Sequence, residues 1–151
     1  IKRNSTKMKT LFAIIFGLFI ITASNAKVYE RCELALELYN EHSYGRQYLG
    51  DWVCMAYYES GLATFVKNPN SYGGNDYGIF QISDHEWCRS PENPDVAECT
   101  YDCTSLLDED INNDAACAVS VQARYGFFAW SGWVNNCQGT NTENWVADCG
   151  I

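Results

Sequence analysis

The stretch Asn68-Pro69-Asn70-Ser71-Tyr72-Gly73-Gly74-Asn75-Asp76-Tyr77-Gly78-Ile79-Phe80-Gln81-Ile82-Ser83 decides the fold class. Residues 68–75 are rich in Asn, Gly, Ser and Pro, which tolerate left-handed backbone or hydrogen-bond their own chain in turns. From Asp76 to Ser83 the apolar residues Tyr77, Ile79, Phe80 and Ile82 alternate loosely, which predicts a strand pairing with the segment before the turn. The flanks read as helix. Residues 30–42 carry a predicted stripe of Val28, Cys32, Ala35, Leu36 and Tyr39, with Glu30, Glu33, Glu37 and Glu41 off it, and Tyr44-Gly45 ends it. A second helix is predicted over 51–60, with Asp51 supporting its N-terminus by capping or by the dipole. Gly61 is its left-handed stop, and Trp52, Val53, Ala56 and Tyr57 are its buried face. Asp114 is predicted to cap a third helix running through Tyr125, with Gly126 at its end. Short helical turns are expected at 130–137 and 144–149, and an irregular loop held by disulfides at 88–103. A mostly helical chain with one small sheet in its middle is α+β.

The remaining composition bounds the rest. A chain of 151 residues is one domain by size, and 47% hydrophobic content with three prolines is too apolar for disorder. Residues 1–26 read as a secretory signal: Lys2, Arg3, Lys7 and Lys9 precede the apolar run Leu11–Ile21, and Ser24-Asn25-Ala26 is a small-residue cleavage site. Met8 is the expected start. The apolar run is well short of the ~20 residues a membrane span needs. The expected mature domain, 27–151, then holds six basic and nineteen acidic residues, a net charge of −13. That balance excludes nucleic acid, which needs a basic footprint, and adhesion to an anionic membrane.

Cys32, Cys54, Cys88, Cys99, Cys103, Cys117, Cys137 and Cys149 all follow the signal. An even count behind a signal implies four disulfides in an oxidising compartment. Zinc fits poorly, because there is no CxxC pair and His42 and His85 are isolated. Spacing alone leaves on the order of 100 connectivities open.

No P-loop, G-x-S-x-G or HExxH motif is present, so chemistry falls to carboxylates. Glu59 follows Tyr57-Tyr58 at a helix C-terminus, where the dipole disfavours an ionised carboxylate and favours a general acid. Asp76 opens the predicted strand among polar turn residues that keep it ionised. The same residues also read as an exposed last-turn Glu and an ordinary turn Asp. One protonated and one ionised carboxyl across a cleft is the arrangement for glycoside hydrolysis.

The chain resembles the c-type lysozyme family, especially its invertebrate members. The resemblance begins at Lys27-Val28-Tyr29-Glu30-Arg31-Cys32-Glu33-Leu34-Ala35. It continues through Leu49-Gly50-Asp51-Trp52-Val53-Cys54, Tyr58-Glu59-Ser60, Asn75 to Ile82 and Trp87-Cys88. It closes with Ala129-Trp130, Gly132-Trp133, Asn136-Cys137 and Trp145. The resemblance implies a helical lobe and a small antiparallel β lobe with a saccharide cleft between them. It implies bridges Cys32–Cys149, Cys54–Cys137, Cys88–Cys103 and Cys99–Cys117. It further implies retaining hydrolysis of the β-1,4 bond between N-acetylmuramic acid and N-acetylglucosamine in bacterial peptidoglycan. Glu59 stands at the acid position and Asp76 at the nucleophile or charge-stabilising position. Trp130 matches the aromatic residue packing on the acid, and Gln81 and Trp87 stand at cleft-lining positions.

The departures also carry expectations. Ser83 and Gly74 stand where relatives have Asn and Ser in the network supporting the catalytic aspartate, while Asn70 remains. Losing a hydrogen bond to the charged form raises the pKa of Asp76. Glu86 replaces an aromatic sugar platform, which weakens a distal subsite or changes substrate preference. Asp108, Asp110, Asn113 and Asp114 resemble the calcium loop of α-lactalbumin and some lysozymes, although a helix cap explains the same acids. No cofactor is required for the reaction. The expectation is a secreted monomer acting on bacterial walls for defence or, as in acidic digestive relatives, in a gut lumen at acid pH. A non-catalytic saccharide- or partner-binding protein on the same fold is the alternative.

Overall fold

The computed structural model describes residues 26–96 and 98–151. The signal reading of residues 1–26 therefore lies almost wholly outside the described residues. Four helices are described: α1 (Arg31–Asn40), α2 (Leu49–Ser60), α3 (Asn112–Tyr125) and α4 (Ser131–Asn136). Three short strands stand between α2 and α3: β1 (Lys67–Pro69), β2 (Asn75–Tyr77) and β3 (Ile82–Ser83). They form an antiparallel sheet in the order β1-β2-β3. The α+β class is as expected, and no described helix is long and apolar enough to cross a membrane.

Helix α2 is the axis of the core. Leu49, Trp52, Val53, Met55 and Ala56 are buried, whereas Tyr57, expected on that face, is exposed. Gly61 stops the helix with φ +65°, its amide donating to the Ala56 and Tyr57 carbonyls; only glycine enters that conformation without a Cβ penalty. Asp51 makes no side-chain cap. Its carboxylate instead accepts the Trp133 indole N–H at 2.9 Å. Trp52 gathers the rings of Tyr44, Phe80, Phe127 and Trp130 at centroid distances of 4.7, 5.8, 4.8 and 5.7 Å. Each such pair contributes about 0.5–1.5 kcal/mol beyond its buried area.

Helix α1 turns a different face inward from the one expected. Leu34, Ala35 and Leu38 are buried, while Val28, Leu36 and Tyr39 are exposed. Cys32 is only partly buried, because its bridge to Cys149 lies at the rim of the core. The four disulfides are those the resemblance implies. The Cys32–Cys149 bridge closes a separation of 117 residues, a loop that contributes roughly 4–5 kcal/mol by chain-entropy reasoning. Cys88–Cys103 and Cys99–Cys117 pin the irregular loop to itself and to α3.

The predicted strand 76–83 is two strands with a tight turn between them. Gly78 (φ +75°) and Gln81 (φ +50°) bend the chain, and the Gln81 amide donates to the Gly78 carbonyl at 3.2 Å. The cause is the junction between the lobes. A Cβ on Gly78 would stand 2.2 Å from the Leu106 carbonyl oxygen and 2.3 Å from an Asp114 carboxylate oxygen. The turn drives Ile79 and Phe80, both fully buried, into the helical lobe. There the Ser60 hydroxyl donates to the Ile79 carbonyl at 2.7 Å and the Trp130 indole to the Phe80 carbonyl at 2.8 Å. Asp114 lies within α3 and caps nothing; Ile111 precedes the helix. The last turn falls at Thr142–Trp145 and not at 144–149, because the 142–143 backbone packs directly on Gly50 of α2.

Candidate active site

Glu59 ends α2 and Asp76 sits in β2, and both face one cavity of about 560 Å³ between the lobes. Asn70, Gln81, Ser83, Trp87 and Trp130, all expected at the site, line the same cavity. Tyr72, Glu86, Phe128 and Asn135 extend its walls.

Glu59 is held by the helical lobe. The Gly132 amide, at the start of α4, donates to its Oε1 at 2.6 Å. A Cβ on Gly132 would stand 2.7 Å from that oxygen, so glycine is what lets the carboxyl lie against α4. Burial raises the Glu59 pKa; the Gly132 hydrogen bond partly opposes this and the Asp76 charge adds to it. Gly132 belongs to the motif Gly132-Trp133, but no local pattern ties it to Glu59, 73 residues away.

Asp76 is held by side chains. Asn70 Oδ1 accepts the amides of Tyr72 and Gly74 at 3.1 and 2.9 Å, which turns its Nδ2 toward Asp76 Oδ1 and Ser83 Oγ, both 3.1 Å away. Ser83 is the register partner of Asp76 across β2–β3. Burial raises the Asp76 pKa, hydrogen bonds from Asn70 and Ser83 lower it, and the charges of Asp84 and Glu86 raise it again. The net direction is upward.

Gly74 lies against the buried carboxylate of Asp84. Asp84 is fully buried, accepts the Asn75 amide at 2.8 Å and the Tyr77 hydroxyl at 3.3 Å. A Cβ at position 74 would stand 2.1 Å from its Oδ1. The carboxylate of Asp84 thus fills the space that a Ser side chain at 74 would need. Gln81 is likewise committed to protein. Its Nε2 donates to the Val66 and Gly78 carbonyls at 3.0 and 2.8 Å, and its Oε1 accepts from Asn68 at 2.9 Å. It braces the turn beneath Asp76.

The acidic residues before α3 close local turns. Oxygens of Asp108, Asp110 and Asp114 do not all come within 4.8 Å of one another. Asp108 accepts the Asp110 amide, and Asp110 accepts the Asn112 amide at 3.0 Å. Asp114 is buried toward Gly78, neither of its oxygens makes a well-formed hydrogen bond, and burial holds its pKa well above the usual carboxylate range. The amides of Ile79 and of Asp114 itself only partly offset that burial.

A profile of the C-type lysozyme/alpha-lactalbumin family matches residues 27–149. Among curated proteins, Lysozyme of Bombyx mori is 40% identical, over 84% of this chain and 92% of its own length. Lysozyme c-1 of Anopheles gambiae is 38% identical, over 94% and 99%. Sperm acrosome-associated protein 5 of Mus musculus is 34% identical, over 96% and 92%. The four bridges, the two-lobed fold and this match over nearly all of 27–151 agree: the chain belongs to the C-type lysozyme/alpha-lactalbumin family.

Proposed function

We propose that the chain is a secreted lysozyme that hydrolyses the β-1,4 bonds of bacterial peptidoglycan with retention at the anomeric carbon. The observation that supports this most is the opposed setting of two carboxyls on one cavity. Glu59 is desolvated at the end of α2 with a single backbone donor, and Asp76 lies in a network of side-chain donors. In this reading Glu59 protonates the glycosidic oxygen. Asp76 captures or stabilises the oxocarbenium-like sugar carbon, and Glu59 then takes a proton from the attacking water. The pair supplies acid, nucleophile and base, so the step needs no metal, and a chelator leaves turnover unchanged.

Both carboxyls titrate higher than usual. The reaction needs Asp76 ionised and Glu59 protonated, so its pH profile is a bell. Asp76 sets the acid limb and Glu59 the alkaline limb, each displaced upward from an ordinary carboxylate. Activity in a strongly acid lumen is thereby limited by Asp76. The net charge of −13 on residues 27–151 pulls the other way, since acid or salt relieves repulsion from an anionic wall. A mildly acid digestive lumen fits both, with wall lysis and hence antibacterial action as the outcome.

The second reading, a non-catalytic binding protein, is favoured by relatives named for the sperm acrosome and not for hydrolysis. A lysis assay on bacterial walls from pH 4 to 8, with Glu59→Gln as the control, separates the two. Lysis by the wild type, lost in Glu59→Gln, is expected. No lysis at any pH promotes the binding reading.

A further inference from the structure

Three carboxylates face the cleft, and among its described lining residues there is no Lys, Arg or His. The six basic residues of 27–151 are engaged elsewhere. Lys27 pairs with Glu33, Arg31 with Asp148, Arg46 with Glu143, Arg89 with Asp102 and Arg124 with Glu98. Lys67 lies 4.9 Å above the Tyr77 ring. Glu59 and Asp76 each accept hydrogen bonds from protein groups. Glu86 is exposed and has no hydrogen bond or ion pair among the described residues.

Glu86 also borders a second cavity of about 410 Å³. This chamber shares Glu86, Trp87, Phe128 and Ala129 with the cleft and continues to Tyr125 and Glu98. Trp87 meets Tyr125 edge to face at 4.8 Å, and Tyr125 and Phe128 are more than half exposed. Glu98 is neutralised by Arg124, which leaves Glu86 as the unpaired charge. Aromatic faces beside an unpaired carboxylate suit a sugar ring that carries a cation. An acetamido group offers Glu86 one N–H donor and no charge. A primary ammonium offers three donors and the opposite charge.

We propose that this chamber is a subsite for a hexosamine with a free primary ammonium, the unit found in de-N-acetylated glycan, with Glu86 accepting from the ammonium beside Trp87, Tyr125 and Phe128. The proposal rests on the glycan-hydrolase reading above for its substrate, but it concerns binding and is tested without turnover. Expected discrimination is that of an exposed charge pair, about two- to fivefold in affinity, and it shrinks as salt is added.

Binding of β-1,4-linked N-acetylglucosamine oligomers, with and without partial de-N-acetylation, is followed by tryptophan fluorescence. The wild type is expected to prefer the de-N-acetylated oligomers at low salt. Glu86→Gln is expected to bring the ratio of the two affinities to one, and Glu86→Lys to invert it. A merely structural role for Glu86 moves both affinities together and leaves the ratio unchanged, which overturns the proposal, as does equal affinity in the wild type. Peptidoglycan fragments with fully acetylated sugars but free stem-peptide amines form the second arm. A Glu86-dependent preference that follows the peptide amine overturns the sugar assignment. A protein that shows the preference but cleaves no glycan sinks the hydrolase reading alone. One that cleaves without the preference sinks this inference alone.

Discussion

The two walls of the cleft handle a carboxyl in opposite ways. The helical wall half-buries Glu59 and gives it one donor, the Gly132 amide, so loss of solvent outweighs that donor and raises its pKa. The β wall also buries Asp76 but surrounds it with Asn70 and Ser83, so burial is contested by hydrogen bonds to the charged form. Two carboxylic acids of similar intrinsic strength meet different environments through the number and kind of donors around them, and the proposed reaction assigns them different duties on that basis. Glu86 and Asp84 then push Asp76 back upward, which makes the β wall the less settled of the two.

The contrast breaks first at the acid. Glu59→Gln keeps shape and loses the proton, and is expected to lower turnover by roughly 10²- to 10⁴-fold with little change in thermal midpoint. Steady-state kinetics beside a melting curve checks both. Gly132→Ala is next. Its Cβ meets the flexible end of Glu59 at 2.7 Å and the Tyr58 backbone carbon at 3.2 Å, so the carboxyl is displaced first and the backbone gives by a few tenths of an ångström. A misplacement near 1 Å costs about 10²-fold in turnover. Full activity in Gly132→Ala would show that the close contact between α4 and Glu59 is incidental.

On the β wall, Asn70→Ala removes a donor to the charged form of Asp76. The acid limb of the pH profile is expected to move to higher pH, with about a tenfold loss below the optimum, from the worth of one hydrogen bond to a charged group. The alkaline limb, set by Glu59, stays in place. A shift of both limbs would mean that Asn70 supports Glu59 as well as Asp76.

The smallest effect is on stability. Asp114 is buried with little donor support, and its folded pKa stands well above the unfolded value near 3.9. The folded state therefore binds more protons than the unfolded one across that window. Stability is greatest below the unfolded pKa and declines as pH rises toward the folded pKa. Asp114→Asn removes this titration, so the fall in midpoint as pH rises above the unfolded value is expected to flatten. Thermal unfolding at several pH values measures it.

What was legible in the sequence follows the reach of each signal. Helix α2 and its stop were readable because Gly61 and a strong apolar face act within one helical turn. The strand over 76–83 was misread because alternation cannot reveal that Ile79 and Phe80 leave the sheet to pin the lobes. Helix α1 was rotated in the reading because Cys32 and Tyr39 counted as apolar, although neither enters the core fully. Glu59 and Asp76 were visible from a helix end and a polar turn. Gly132, and the fit of Gly74 to Asp84, depend on contacts across the fold that no local pattern marks.

The division of labour between the two walls is tested most directly by the stereochemistry of the first product. A defined β-1,4-linked glycan is cleaved in the NMR tube, and the anomeric proton of the new reducing end is read before mutarotation. Release of the β anomer is predicted, since Asp76 covers the face opposite the leaving group and water, deprotonated by Glu59, attacks from the vacated face as the carboxylate departs. Release of the α anomer, or no cleavage at any pH between the two limbs, would contradict it.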